Sequence, residues 1–90
     1  MAKRTDPNQA EIMAALRKAG AHVTSLHTVG KGCPDLLVSY HGKWFVIEVK
    51  GPKGKRTPDQ TKWSQEAKAP VWLARTSVEA LAAIYGGMSL

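Results

Sequence analysis

Cysteine is nearly absent. Cys33 is the only one in 90 residues, so no disulfide can form within the chain and packing alone must hold it. A lone thiol suits a reducing compartment, and a cytoplasmic location is expected. Long apolar runs are missing as well: none approaches the ~20 residues of a membrane span. The basic N-terminus lacks the apolar stretch of a secretion signal, so no membrane partner is expected. There is no internal repeat, low-complexity tract or interior linker, which leaves a single domain over 1–90 with its core between about 7 and 86. Acidic residues are few, with seven Asp and Glu against thirteen Lys and Arg. The resulting charge of +6 favours a polyanionic partner, nucleic acid ahead of an anionic membrane surface.

Familiar site chemistries are also missing. His22, His27 and His41 lack metal-ligand spacing, and no histidine–carboxylate constellation surrounds Cys33. Gly30-Lys31-Gly32 has neither the spacing nor the trailing Ser or Thr of a phosphate-binding P-loop, and no small-molecule cofactor is expected.

What is present is a patterned, soluble composition, 43% hydrophobic and 22% charged, which argues against disorder. A chain this short buries only about 60–65% of its unfolded surface, so self-association would help it. Asp6 suits an N-cap, Pro7 the first helical position and Gln9 the reciprocal capping-box position. Ile12, Met13, Leu16 and Ala19 make that helix's apolar stripe, and Gly20 ends it. A strand is predicted over 22–28, with Gly30 to Pro34 as a turn. Strands follow over 36–40 and 44–49, with His41-Gly42 between them. Thr57-Pro58-Asp59-Gln60 opens a second helix that ends before Pro70. Val71 to Ala74 reads as a short strand, and the capping box Thr76-x-x-Glu79 starts a last helix closed by Gly86-Gly87. The order α-β-β-β-α-β-α implies an α/β fold, a central mixed sheet of about four strands flanked by helices.

One stretch carries chemistry: Pro34-Asp35, then Glu48-Val49-Lys50. A two-residue turn at His41-Gly42 pairs Tyr40 with Lys43. Counting outward then sets Asp35 opposite Glu48 on one sheet face, with Cβ atoms about 5 Å apart. A three-residue loop would instead put the carboxylates on opposite faces. Lys50, two residues on, shares Glu48's face. Facing like charges need a neutraliser, and a divalent cation is the best one. The bland alternative is a strand that reaches solvent, with Glu48 paired to Lys50 or Arg56. Periodicity alone makes Glu11 a solvated helix glutamate and Gln60 a capping residue. Lys53, Lys55, Arg56 and Lys62 follow the acidic pair closely, where a phosphate backbone would approach.

Pro34-Asp35, Glu48-Val49-Lys50 and the element order resemble the PD-(D/E)XK nuclease superfamily. Gly32-Cys33-Pro34-Asp35-Leu36, Ile47-Glu48-Val49-Lys50-Gly51 and Gln60 narrow the resemblance to its VRR-NUC (virus-type replication-repair nuclease) group, and it covers about residues 11 to 75. The resemblance implies a restriction-endonuclease-like fold and a stand-alone domain, acting in the cytoplasm of a bacterial host if phage-encoded. It implies that Asp35, Glu48 and the Val49 main-chain carbonyl ligate Mg²⁺, with Mn²⁺ able to substitute, and that Lys50 is the catalytic lysine. It also recruits Glu11 as the first-helix acidic ligand and Gln60 as a polar catalytic residue. The implied activity is Mg²⁺-dependent endonucleolytic hydrolysis of DNA by a homodimer acting on four-way junctions or other branched DNA. Lys31, Lys53, Lys55, Arg56 and Lys62 would then be the DNA-binding residues. A nuclease with little structure preference and a non-catalytic nucleic-acid-binding module are the alternatives.

Overall fold

A computed structural model describes residues 8–86. The elements are α1 (Gln9–Lys18), β1 (His22–Ser25), β2 (Leu36–Tyr40), β3 (Lys43–Val49), α2 (Pro58–Ala67), β4 (Trp72–Ala74) and α3 (Ser77–Gly86), in the order expected. The sheet runs β1-β2-β3-β4; the first two pairings are antiparallel and β3–β4 is parallel. It is therefore a mixed sheet in an α/β fold. Among the described residues no helix is long and apolar enough to cross a membrane.

The hairpin turn sets the register of everything around it. His41 (φ 49°) and Gly42 (φ 78°) are both left-handed, the condition for a tight two-residue turn whose twist matches its strands. Tyr40 pairs with Lys43, and the register runs unbroken to Leu36 opposite Ile47. Strand alternation then sorts the side chains. Leu36, Val38, Phe45, Ile47 and Val49 are buried in one core with Val23 and Ala74, closed by Ile12 and Leu16 of α1 and Ala80 and Ile84 of α3. Each fully buried Leu or Ile contributes about 1.5–3 kcal/mol there. The alternate residues of β3, namely Trp44, Val46 and Glu48, face the other way, and Trp44 is 68% exposed.

The third and fourth strands start one residue from where they were expected, at Lys43 and Trp72, and two boundaries differ by more. The first strand stops at Ser25, three residues before Thr28. Leu26 N–H still donates to Asp35 O (2.7 Å), but Val29 N–H then closes a turn onto Leu26 O (2.9 Å). The first helix begins at Gln9 with Asn8 as its cap, so Gln9 stands at the first helical position and not at the third of a capping box. Asp6, Pro7 and Gly87 lie outside the described residues.

The other helix starts follow the expected chemistry. Thr57 and Gln60 form a complete capping box on α2, with Pro58 at its first position, and Lys68 turns left-handed (φ 55°) to end it. At α3, Glu79 N–H donates to Thr76 Oγ1 (3.1 Å). The Glu79 carboxylate reaches one residue further back than a capping box requires, accepting from Arg75 N–H (2.6 Å).

Candidate functional site

The ladder ends at the Leu36–Ile47 pair, and continuing its register by one step sets Asp35 opposite Glu48 at the open end of the hairpin. Both carboxylates are buried, Asp35 at 9% exposure and Glu48 at 1%. Like charges at such a cross-strand position are destabilising unless something offsets them. The protein answers this with its own groups. Val49 N–H donates to Asp35 Oδ2 (2.7 Å), and Arg56 Nε donates to Glu48 Oε2 (3.1 Å) as a part-buried ion pair. Arg56 is held at its other end by Nη2 donating to Val71 O (3.2 Å). The bland partner for Glu48 is thus realised, and Arg56 turns inward from the basic loop.

The end of β3 is fastened from several sides. Lys50 N–H donates to Ala74 O (3.1 Å), extending the parallel pairing with β4 by one bond. Asn8 Nδ2 bridges Lys50 O (3.1 Å) and Arg75 O (2.7 Å), joining the start of α1 to the ends of both strands. Arg75 Nη1 donates to Gly51 O (2.5 Å). The aliphatic stem of Lys50 runs beside Gly54, where an added Cβ would meet Lys50 Cδ at 3.3 Å. Continued alternation gives Lys50 the face of Glu48, and its ammonium makes no ion pair among the described residues.

Sequence reasoning missed Asn8 and gave Gln9 only a capping role. Among the described residues Asn8 Oδ1 and Gln9 Oε1 are buried without a hydrogen-bond partner, an arrangement that costs about 1–3 kcal/mol per group. Glu11, by contrast, is exposed. Residues two apart on a helix are separated by roughly 200°, so Glu11 points away from the side on which Gln9 is buried. Among the described residues no cluster of three or more His, Cys, Asp or Glu exists, and the structure does not bring Glu11 to the Asp35–Glu48 pair. The signal for Gln9 was available in the sequence: it lies three residues before the buried Ile12, in register with the apolar stripe.

Gln60 is buried, and its Oε1 accepts from Thr57 N–H (2.8 Å) while its own N–H donates to Thr57 Oγ1 (3.2 Å). The capping role is therefore occupied. The start of α2 lies against the turn before β2, because Gly32 (φ 81°) allows the two backbones to touch. A Cβ at Gly32 would sit 2.5 Å from the Asp59 carbonyl carbon and 2.8 Å from Gln60 N. Lys31, Lys53, Lys55 and Lys62 are exposed. Lys31 and Lys62 meet across a cleft of about 280 Å³ lined also by Asp59, Trp63 and Glu66. A second cleft of about 350 Å³, which includes His22, Tyr40 and His41, lies at the hairpin turn, the end of β2–β3 away from the carboxylates.

The donor set at the carboxylate end suits a hard cation. Mg²⁺ takes one or two carboxylates and fills its remaining positions with neutral oxygens, chiefly water. Asp35 and Glu48 could supply the former, and Asn8, whose amide nitrogen donates to Lys50 O, carries a hard neutral amide oxygen at the neighbouring helix start. No known family pattern and no characterised protein matched the chain when it was compared with them.

Proposed function

We propose that the chain is a metal-dependent DNA endonuclease of the PD-(D/E)XK type, closest to the VRR-NUC group, working as a homodimer on branched DNA such as four-way junctions. The feature that supports this reading is the hairpin register, which continued one step sets two buried carboxylates, Asp35 and Glu48, opposite each other, with Lys50 two residues on and a lysine-rich loop immediately after it. A Mg²⁺ ion held by the two carboxylates would lower the pKa of a water molecule and offset charge on the scissile phosphate. The chain's own residues do the rest. Lys50, with its main chain tied to Ala74 and Asn8, directs an ammonium at the attacking water and at the charge that grows on the phosphate. Val49 N–H fixes Asp35, so that one carboxylate keeps a single orientation. Lys31, Lys53, Lys55 and Lys62 draw the backbone in, each phosphate contact steepening the salt dependence of binding by about one unit. Two sites related by a dimer axis would suit paired cuts in a junction.

The test is cleavage of duplex, flap and four-way-junction DNA with Mg²⁺ and with chelator. Cleavage that requires the metal and is lost in Glu48→Ala and Lys50→Ala is expected. Variants that cut as well as the parent, or no metal-dependent cleavage of any substrate, would refute it. The second reading, a non-catalytic nucleic-acid-binding module, is favoured by the Arg56–Glu48 ion pair, which already balances the buried acid. It requires salt-sensitive binding without cleavage, indifferent to Glu48→Ala.

A further inference from the structure

We propose that Arg56 is a built-in stand-in for the site's cation: its guanidinium holds Glu48 while the metal is absent and gives it up when a divalent ion binds. This rests on the metal-site reading above and adds a control on when that site is open.

Glu48 is 1% exposed beside a second buried carboxylate, and a buried acid of this kind calls for a cationic partner. Arg56 is that partner, and among the described residues neither acid has another ion pair. The bond is a single one, Nε to Oε2, and not the two-pronged fork that makes arginine–carboxylate pairs strongest. The remaining anchor, Val71 O at 3.2 Å, is a neutral acceptor. Arg56 closes the irregular 50–56 connection, which contains Gly51, Pro52 and Gly54, and its side chain is 30% exposed. It can therefore swing to solvent without opening the core, while the Thr57 capping box keeps α2 in place.

Exclusivity follows from charge. A guanidinium and a divalent cation sharing one buried carboxylate would stand only about 5 Å apart, and their repulsion sets one against the other. Once displaced, Arg56 lies in the same loop as Lys53 and Lys55, and a phosphate is the natural acceptor for its planar donors. Metal and DNA should then favour each other's binding, because each removes what holds Arg56 on Glu48 or gives it somewhere else to go.

The experiment measures binding and not activity. Mg²⁺ and Ca²⁺ are titrated into the parent chain at pH 8 by calorimetry, and the Arg56 Nε–H resonance is followed by NMR. Glu48→Ala, which leaves no acceptor at that position, identifies the resonance position of an unpaired guanidinium. Saturating Mg²⁺ should move the Arg56 signal to that unpaired position, and Arg56→Gln should bind Mg²⁺ at least about tenfold more tightly than the parent. An arginine that served only to hold the fold would weaken binding when replaced. Should Arg56→Gln not fold, the parent's resonance still decides. Metal binding that leaves the Arg56 signal in place, or equal affinity in parent and Arg56→Gln, overturns the inference and spares the metal site. No binding by either protein overturns the metal-site reading, and the inference with it.

Discussion

Gly30 and Gly32 sit in the same turn with similar left-handed backbones, φ 72° and 81°, yet their surroundings differ completely. An alanine at either position suffers left-handed strain of about 1–2 kcal/mol. The stiffer unfolded chain returns about 0.4–1 kcal/mol of this, so Gly30→Ala, with nothing within 4 Å of its new Cβ, should cost about 1 kcal/mol net. Gly32→Ala carries the same strain and also places its Cβ 2.5 Å from the Asp59 carbonyl carbon and 2.8 Å from Gln60 N. These are backbone atoms and cannot rotate aside. Restoring contact to ~3.5 Å requires the first turn of α2 to retreat by about 1 Å, and a gap of that size forfeits a quarter to a half of each dispersion contact across it. Gln60, the buried residue of α2, loses its seat in the process. The total should reach about 3 kcal/mol, a large share of the 5–15 kcal/mol typical of a domain. Urea unfolding of both variants, together with hydrogen exchange of the α2 amides, measures the difference. The two variants agreeing within 0.5 kcal/mol, with α2 amides equally protected, would refute the close-approach argument.

Other expectations follow from the same geometry. Asp35→Asn keeps an oxygen for Val49 N–H but removes the repulsion with Glu48, so it should stabilise the metal-free protein by about 1 kcal/mol in urea unfolding while abolishing Mg²⁺-dependent cleavage. Thr57→Ala removes the α2 cap and should cost about 1 kcal/mol by thermal melting, with a further loss of cleavage only if Gln60 serves the reaction. Glu11→Gln should leave cleavage within about twofold of the parent, since the side chain is exposed and apart from the acidic pair; a loss of a hundredfold or more would return Glu11 to the site. Light scattering at micromolar concentration should give twice the 9.8 kDa chain mass, and a monomer mass would remove the paired-site reading.

The element order was legible because each boundary has a local cause. His41-Gly42 supplies the turn, and with it the register whose continuation sets Asp35 opposite Glu48, thirteen residues later in the chain. Thr57 with Gln60 supplies a cap that needs no tertiary context. The first helix was misread at its start because Asp6 and Pro7 carry the stronger local signals, whereas Asn8 acts through partners 42 and 67 residues away. Gln9 was read as a capping residue, although its place three residues before Ile12 already put it in register with the buried stripe. The neutraliser of Glu48 was narrowed to Lys50 or Arg56 among protein groups. Choosing between them required knowing that the loop folds back to Val71, a non-local fact.

The Asn8 bridge has a consequence for how the protein is made. Its amide joins Lys50 and Arg75, so the strand end that carries Glu48 is not fastened until residue 75 has been synthesised and has paired. Contacts so distant along the chain close late, after the local hairpin has formed. A growing chain that already displays Asp35 and Glu48 therefore still has a loose end there. The full fastening of this strand end is therefore a property of the finished domain and not of the growing chain.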